Sequence, residues 1–146
     1  MAALILALAC GCAPSSEKAS RASTPGVRVE GAWARLTPAQ VGAVYLTLVN
    51  TAAQDDRLLG GESAAARRVE LHEVIPRGEV LQMHPRPEGF LVPAEGSVEL
   101  KPGSKHLMLY DVSAAPAHID LTLRFERSPP MHLRVRVMAP DEEETP

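Results

Sequence analysis

Cysteine is nearly absent from this 146-residue chain: Cys10 and Cys12 are the only two, and both stand at its N-terminal extreme. The rest of the chain therefore offers no disulfide, no thiolate metal ligand and no cysteine nucleophile. Aromatic residues amount to 3%, so the core must be built mainly from Val, Leu, Ile and Ala. Positive charge is not in excess. The formal net charge is −3 with mixed signs throughout, which leaves no basic footprint and excludes nucleic acid as an expected partner. No Ser or Cys nucleophile motif and no phosphate-binding loop occurs, so the chain is not expected to be an enzyme.

What the chain does have is turn formers, with 13 prolines and 10 glycines, alongside 45% hydrophobic and 23% charged residues. That is the balance of a folded protein of one domain, rich in short strands. Residues 1–12 read as an export signal, because the apolar run Ala2 to Ala9 is too short to span a bilayer and ends in Ala9-Cys10-Gly11-Cys12. Two versions fit: a bacterial lipoprotein signal in which Cys10 or Cys12 is lipidated, and an ordinary cleaved signal peptide. Ala, where Leu is usual, stands three places before either cysteine, and no Lys or Arg precedes the run. The lipoprotein version is preferred; both take the protein out of the cytoplasm. Residues 13–26 (APSSEKASRASTPG) read as a flexible tether, and residues 140–146 (PDEEETP) as a disordered acidic tail. The folded domain is expected over residues 27–139.

Within that domain, short strand patterns recur between Pro/Gly turns. Ala43 to Asn50, Arg68 to Val74, Glu79 to His84, His106 to Asp111, His118 to Glu126 and Met131 to Met138 are the clearest. Ile75 to Gly78 reads as a hairpin turn, and Ala64 to Arg68 alone hints at a helical turn. About eight or nine such strands predict an antiparallel sandwich or barrel.

His106 and Met108 are one residue apart in a strand pattern, so they share a face, while Leu107 and Leu109 take the core side. His72 likewise lies opposite in parity to Val69 and Leu71. Met83 follows eleven residues after His72, beyond the expected turn, and can lie near it. Thioethers are soft ligands and imidazoles borderline ones, a mixture that favours copper(I) over zinc, calcium or magnesium. Thiolates would bind copper(I) too, but outside the cytoplasm they oxidise to disulfides, and methionine cannot. A lone His or Met in a strand is more often a packing or surface residue, and that reading is kept for His118, Met131, His132 and Met138. His84 neighbours Met83 but should face the other way.

The spacing His72-x10-Met83-x22-His106-x-Met108 resembles the signature of the periplasmic copper chaperone family often called PCuAC. Further stretches are similar to that family: Ala32-Trp33-Ala34-Arg35, Tyr45 to Asn50, Asp56 to Leu59, Val69 to Glu73, and Val98 to Gly103 leading into His106 to Leu109. The likeness covers nearly all of residues 27–137. It implies an all-β, cupredoxin-like antiparallel β-sandwich, and a surface copper(I) site formed by His72, Met83, His106 and Met108. It further implies a periplasmic carrier that supplies copper to an acceptor such as a cytochrome oxidase subunit, at its dinuclear copper centre, or to another copper chaperone. Some relatives carry a His- and Met-rich C-terminal extension; the tail Asp141 to Pro146 has neither residue.

Three other readings concern the same residues. A blue-copper electron carrier needs a cysteine thiolate and is excluded. A metal-free exported β-sandwich that recognises a protein by its surface, and a copper storage or resistance protein without a dedicated recipient, both remain open.

Overall fold

The computed structural model describes residues 26–113, 116–139 and 142. The expected signal, with Cys10 and Cys12, and the tether up to residue 25 lie outside the described residues. Among the described residues ten strands follow one another: β1 Val27–Leu36, β2 Gly42–Asn50, β3 Asp56–Glu62, β4 Ala66–Arg77, β5 Val80–Pro85, β6 Phe90–Val92, β7 Ser97–Leu100, β8 Lys105–Val112, β9 His118–Phe125 and β10 Met131–Met138. Among the described residues there is no helix. The expected helical turn at Ala64 to Arg68 is instead a tight turn leading into β4, which begins at Ala66.

The strands join in the order β5-β4-β8-β2-β1-β10-β9-β3-β6, with β7 also paired to β2. Every pairing is antiparallel except β1 with β10. The long sheet folds over on itself into a sandwich. At Gly61 of β3 an added Cβ would stand 3.2 Å from Leu107 of β8 and 3.3 Å from Leu121 of β9, so β3 and β8 face one another across the interior. Between them lie Val44, Leu46, Leu48, Leu58, Leu107, Leu109, Ile119, Leu121, Leu123 and Val135, all buried. The period-two pattern explains why: in β2 and β9 every second residue is buried, and those positions carry the aliphatic side chains that must leave water.

Two local features position the site. β4 runs through Ile75 and Pro76 to Arg77, which pairs with Val80. The hairpin turn is therefore the two residues Gly78 and Glu79, with Gly78 at φ +64°, not the longer Ile75 to Gly78 turn expected from sequence. In β1, Glu30 pairs with Thr47 and Trp33 with Tyr45, so three steps on β1 match two on β2. That bulge is accommodated at Gly31, whose φ of +59° lies in the left-handed region that glycine enters without a Cβ penalty. Its effect is to reverse the facing of the residues that follow. Val29 packs on the core, but past the bulge Ala34 takes the core side and Trp33 the opposite one.

Candidate metal centre

Strand register assembles the site from residues remote in sequence. β8 lies between β4 and β2. His106 pairs directly with His72, and Met108 with Glu70 on one side and Ala43 on the other. Paired residues share a face, so His72, His106, Glu70 and Met108 stand together on the face turned away from the Leu107–Leu109 core. The same register carries a row of rings across the sheet. Trp33 meets Tyr45 at a tilt with 4.5 Å between centroids, Tyr45 lies 6.2 Å from His106, and His106 lies 6.0 Å from His72. Tyr110, two residues beyond Met108, lies 6.2 Å from His72.

The rings change the character of the site. His72 is 7% exposed and His106 4%, so the histidines are not surface residues as parity alone implied. Tyr45 lies beside His106 and Tyr110 beside His72, and together with the strand on each side they shut out water. Burial also shifts the chemistry. It holds the His106 imidazole below its ordinary pKa, assisted by the neighbouring His72 and opposed by the hydrogen bond to Ser104. His106 thus stays neutral, and able to donate a lone pair, to lower pH than an exposed histidine. Burial likewise raises the Tyr45 phenol, against the pull of Arg35.

Each imidazole has one nitrogen engaged. His106 Nδ1 lies 3.1 Å from the Ser104 carbonyl oxygen, an acceptor, so Nδ1 carries the proton and Nε2 has the free lone pair. His72 Nε2 lies 3.0 Å from Glu70 Oε2 and 3.4 Å from the Tyr110 hydroxyl. Its Nδ1 is buried and has no hydrogen-bond partner among the described residues. Glu70 is held in turn by Arg68, whose Nε donates to Oε1 at 2.8 Å and whose guanidinium lies 4.3 Å over the Tyr110 ring.

The two methionines flank the histidine pair. Met108 is half-buried beside it on β8. Met83 pairs with Val74, which shares a face with His72 two residues along β4, but on the side away from Met108. It sits on the edge strand β5, is 49% exposed, and neighbours the exposed Val80 and Leu81. The histidines and Met108 are therefore brought together by register, whereas Met83 stands one diagonal step from His72 on the outermost strand. His84 pairs with Glu73 on the opposite face, where Glu73 meets Lys105 at 2.9 Å and Arg86 at 3.5 Å. His118 and His132 are exposed, Met131 packs against the core and Met138 is buried. Of the acidic tail only Glu142 is described; its carboxylate meets Arg136 at 2.6 Å and its carbonyl accepts from Arg35 at 2.8 Å.

Among the described residues no three His, Cys, Asp or Glu side chains are grouped to hold a metal ion. The imidazoles and thioethers on this face make a donor set that is soft to borderline. Glu70, Tyr45 and Tyr110 were not foreseen as part of the site. Glu70 shares strand parity with His72 and could have been found. The tyrosines depend on the pairing of β8 with β2 and β4.

The family model described as "Putative lipoprotein LpqE-like" matches residues 27–137. The chain belongs to the LpqE-like family. The chain is similar to "Putative lipoprotein Lxx21020" of Leifsonia xyli subsp. xyli, 32% identical over 131 residues that span 86% of this chain and 78% of the relative. The "Uncharacterized protein RP573" of Rickettsia prowazekii is 36% identical over 84 residues, 54% of this chain and 46% of that protein. Among solved structures, the copper-bound PCuAC domain from PmoF2 superimposes with a TM-score of 0.65 at 28% identity, covering 80% of this chain and 97% of that domain. The copper(I) form of DR1885 from Deinococcus radiodurans has the same fold, with a TM-score of 0.65 at 22% identity and 87% of each chain covered. The fold of this family member is thus the cupredoxin-like β-sandwich of the PCuAC domains, as the sequence resemblance implied.

Proposed function

We propose that this protein is an exported copper(I) carrier that holds the ion between His72 and His106, completes its coordination with the thioethers of Met108 and Met83, and hands it to an extracytoplasmic acceptor. The observation that carries the reading is the buried His72–His106 pair with a methionine on either flank of the same face. Two neutral imidazoles and two uncharged thioethers satisfy a soft monovalent cation, and no cysteine stands beyond Cys12 to be oxidised at the site. The copper-bound state of the PmoF2 domain supports the choice of metal.

The placement of the donors fits a carrier rather than an enzyme or a sealed store. The histidines are buried and hold one side of the ion, while Met83, half-exposed on an edge strand, is the donor that an incoming ligand can replace first. Transfer then proceeds by ligand exchange, with no naked ion released. The acceptor is a copper protein such as a cytochrome oxidase subunit, at its dinuclear copper centre, or another copper chaperone. The expected signal and the lipoprotein descriptions of the family and the Leifsonia relative support export and membrane anchoring; in this reading the domain is periplasmic and tethered through Cys10 or Cys12. The test is an anaerobic copper(I) competition titration, followed by mixing the loaded protein with an apo oxidase copper-domain fragment. One equivalent bound and then transferred is expected. No binding refutes the copper reading, and binding without transfer leaves a store.

A further inference from the structure

The two histidines are held by different neighbours, and the difference is chemical. At His106 a backbone carbonyl takes the Nδ1 proton, leaving Nε2. At His72 a carboxylate oxygen stands against Nε2, and the other ring nitrogen is left buried with no partner among the described residues. A buried imidazole nitrogen without a hydrogen bond is costly to keep. Such an atom calls for a ligand.

We propose that Glu70 is the positioning residue that decides which nitrogen His72 presents to copper(I), so that the ion is met by Nδ1 of His72 and by Nε2 of His106. This rests on the copper reading above and goes beyond it. A carboxylate accepts and does not donate, so a proton is drawn to His72 Nε2 and the lone pair falls to Nδ1. Glu70 is itself fixed. Arg68 takes its other oxygen at 2.8 Å and lies over the Tyr110 ring at 4.3 Å, and Arg68, Glu70 and His72 share one face of β4 by parity. The carboxylate therefore has one oxygen for the arginine and one for the imidazole. Holding a ligating histidine by its second nitrogen fixes ring rotation and tautomer together, and loss of such a partner typically costs roughly 10–100-fold in metal affinity.

The test reads the tautomers directly. Long-range proton–nitrogen correlation spectra of the uniformly nitrogen-15-labelled protein, recorded above the histidine titration range, distinguish protonated from unprotonated ring nitrogens. In the metal-free protein His72 is expected to be protonated at Nε2 and His106 at Nδ1. Addition of copper(I) is expected to shift His72 Nδ1 and His106 Nε2. Glu70→Leu removes the acceptor and should release His72 into tautomer exchange, with copper(I) affinity falling by about 10-fold or more and circular dichroism unchanged. Glu70→Gln keeps an acceptor oxygen without the charge and should retain both the tautomer and most of the affinity. His72 protonated at Nδ1 in the wild type, a copper-induced shift at its Nε2, or a Gln variant as impaired as the Leu variant each overturns the assignment. A wild type that binds copper(I) with the wrong tautomer sinks only this inference. A wild type that binds none sinks it together with the copper reading.

Discussion

Replacing each methionine by leucine separates packing from coordination. Met83 is 49% exposed on the edge strand β5, so Met83→Leu should change stability by no more than ~0.5 kcal/mol. Met108 is half-buried between Glu70 and Ala43, and the near-isosteric exchange there should cost less than ~1.5 kcal/mol. In both variants the apo melting temperature should therefore move little, since ~1 kcal/mol corresponds to about 4 °C for a domain of this size. Copper changes the comparison. A ligand at 100 times its dissociation constant stabilises the native state by about 2.7 kcal/mol, or about 11 °C on the same scale. A tenfold loss of affinity lowers that to about 1.4 kcal/mol, so the copper-induced rise should be roughly halved in each variant. The assay is thermal unfolding with and without copper(I) under anaerobic conditions, at identical free copper set by a competing chelator. If both leucine variants show the full wild-type rise, the methionines are packing residues and the four-donor reasoning fails. A loss at Met108 but none at Met83 would mean that the exposed strand does not reach the ion.

A second expectation concerns pH. Because burial lowers the His106 pKa in the fold, the unfolded chain takes up its proton first as pH falls. The contribution is fully present above the unfolded value near ~6.5 and is lost as pH drops through the lowered native value; urea unfolding from pH 7.5 to 5 should show a shallower decline for His106→Gln, and an identical slope would contradict the assignment. Gly31→Ala forces a Cβ onto φ +59°, with nothing within 4 Å to clash, so its cost is conformational strain alone, about 1–2 kcal/mol. Chemical denaturation measures it, and a neutral result would mean that the bulge relaxes. For the anchor, Cys10→Ser with Cys12→Ser should abolish acyl labelling and release the protein from membranes; a wild type that is never acylated would dismiss the lipoprotein signal.

Much of the site could be read along the chain because strand parity is a local property. One intervening residue puts His106 and Met108 on one face and Leu107 on the other, whatever the rest of the fold does, and the absence of cysteine beyond Cys12 rules out a thiolate site in any fold. The strands themselves were legible wherever alternation ran for several residues, as in β2, β9 and β10. β6, only Phe90–Val92, is too short to show a period, and the β4 hairpin turned later than its Pro-Arg-Gly sequence implied because Pro76 is tolerated on an extended strand. Pairing between remote strands is a different matter, since a register depends on both partners and on everything packed behind them. Only the tertiary structure set His72 against His106 and drew Tyr45 and Tyr110 over them. It thereby made the histidines buried, lowered the His106 pKa and left Met83 outside on the edge strand. Gly31 shows the reason in one residue. Uninterrupted alternation from Val29 would send Trp33 into the core, but one left-handed step reverses the parity and places it beside Tyr45, at the end of the row of rings that leads to the histidines.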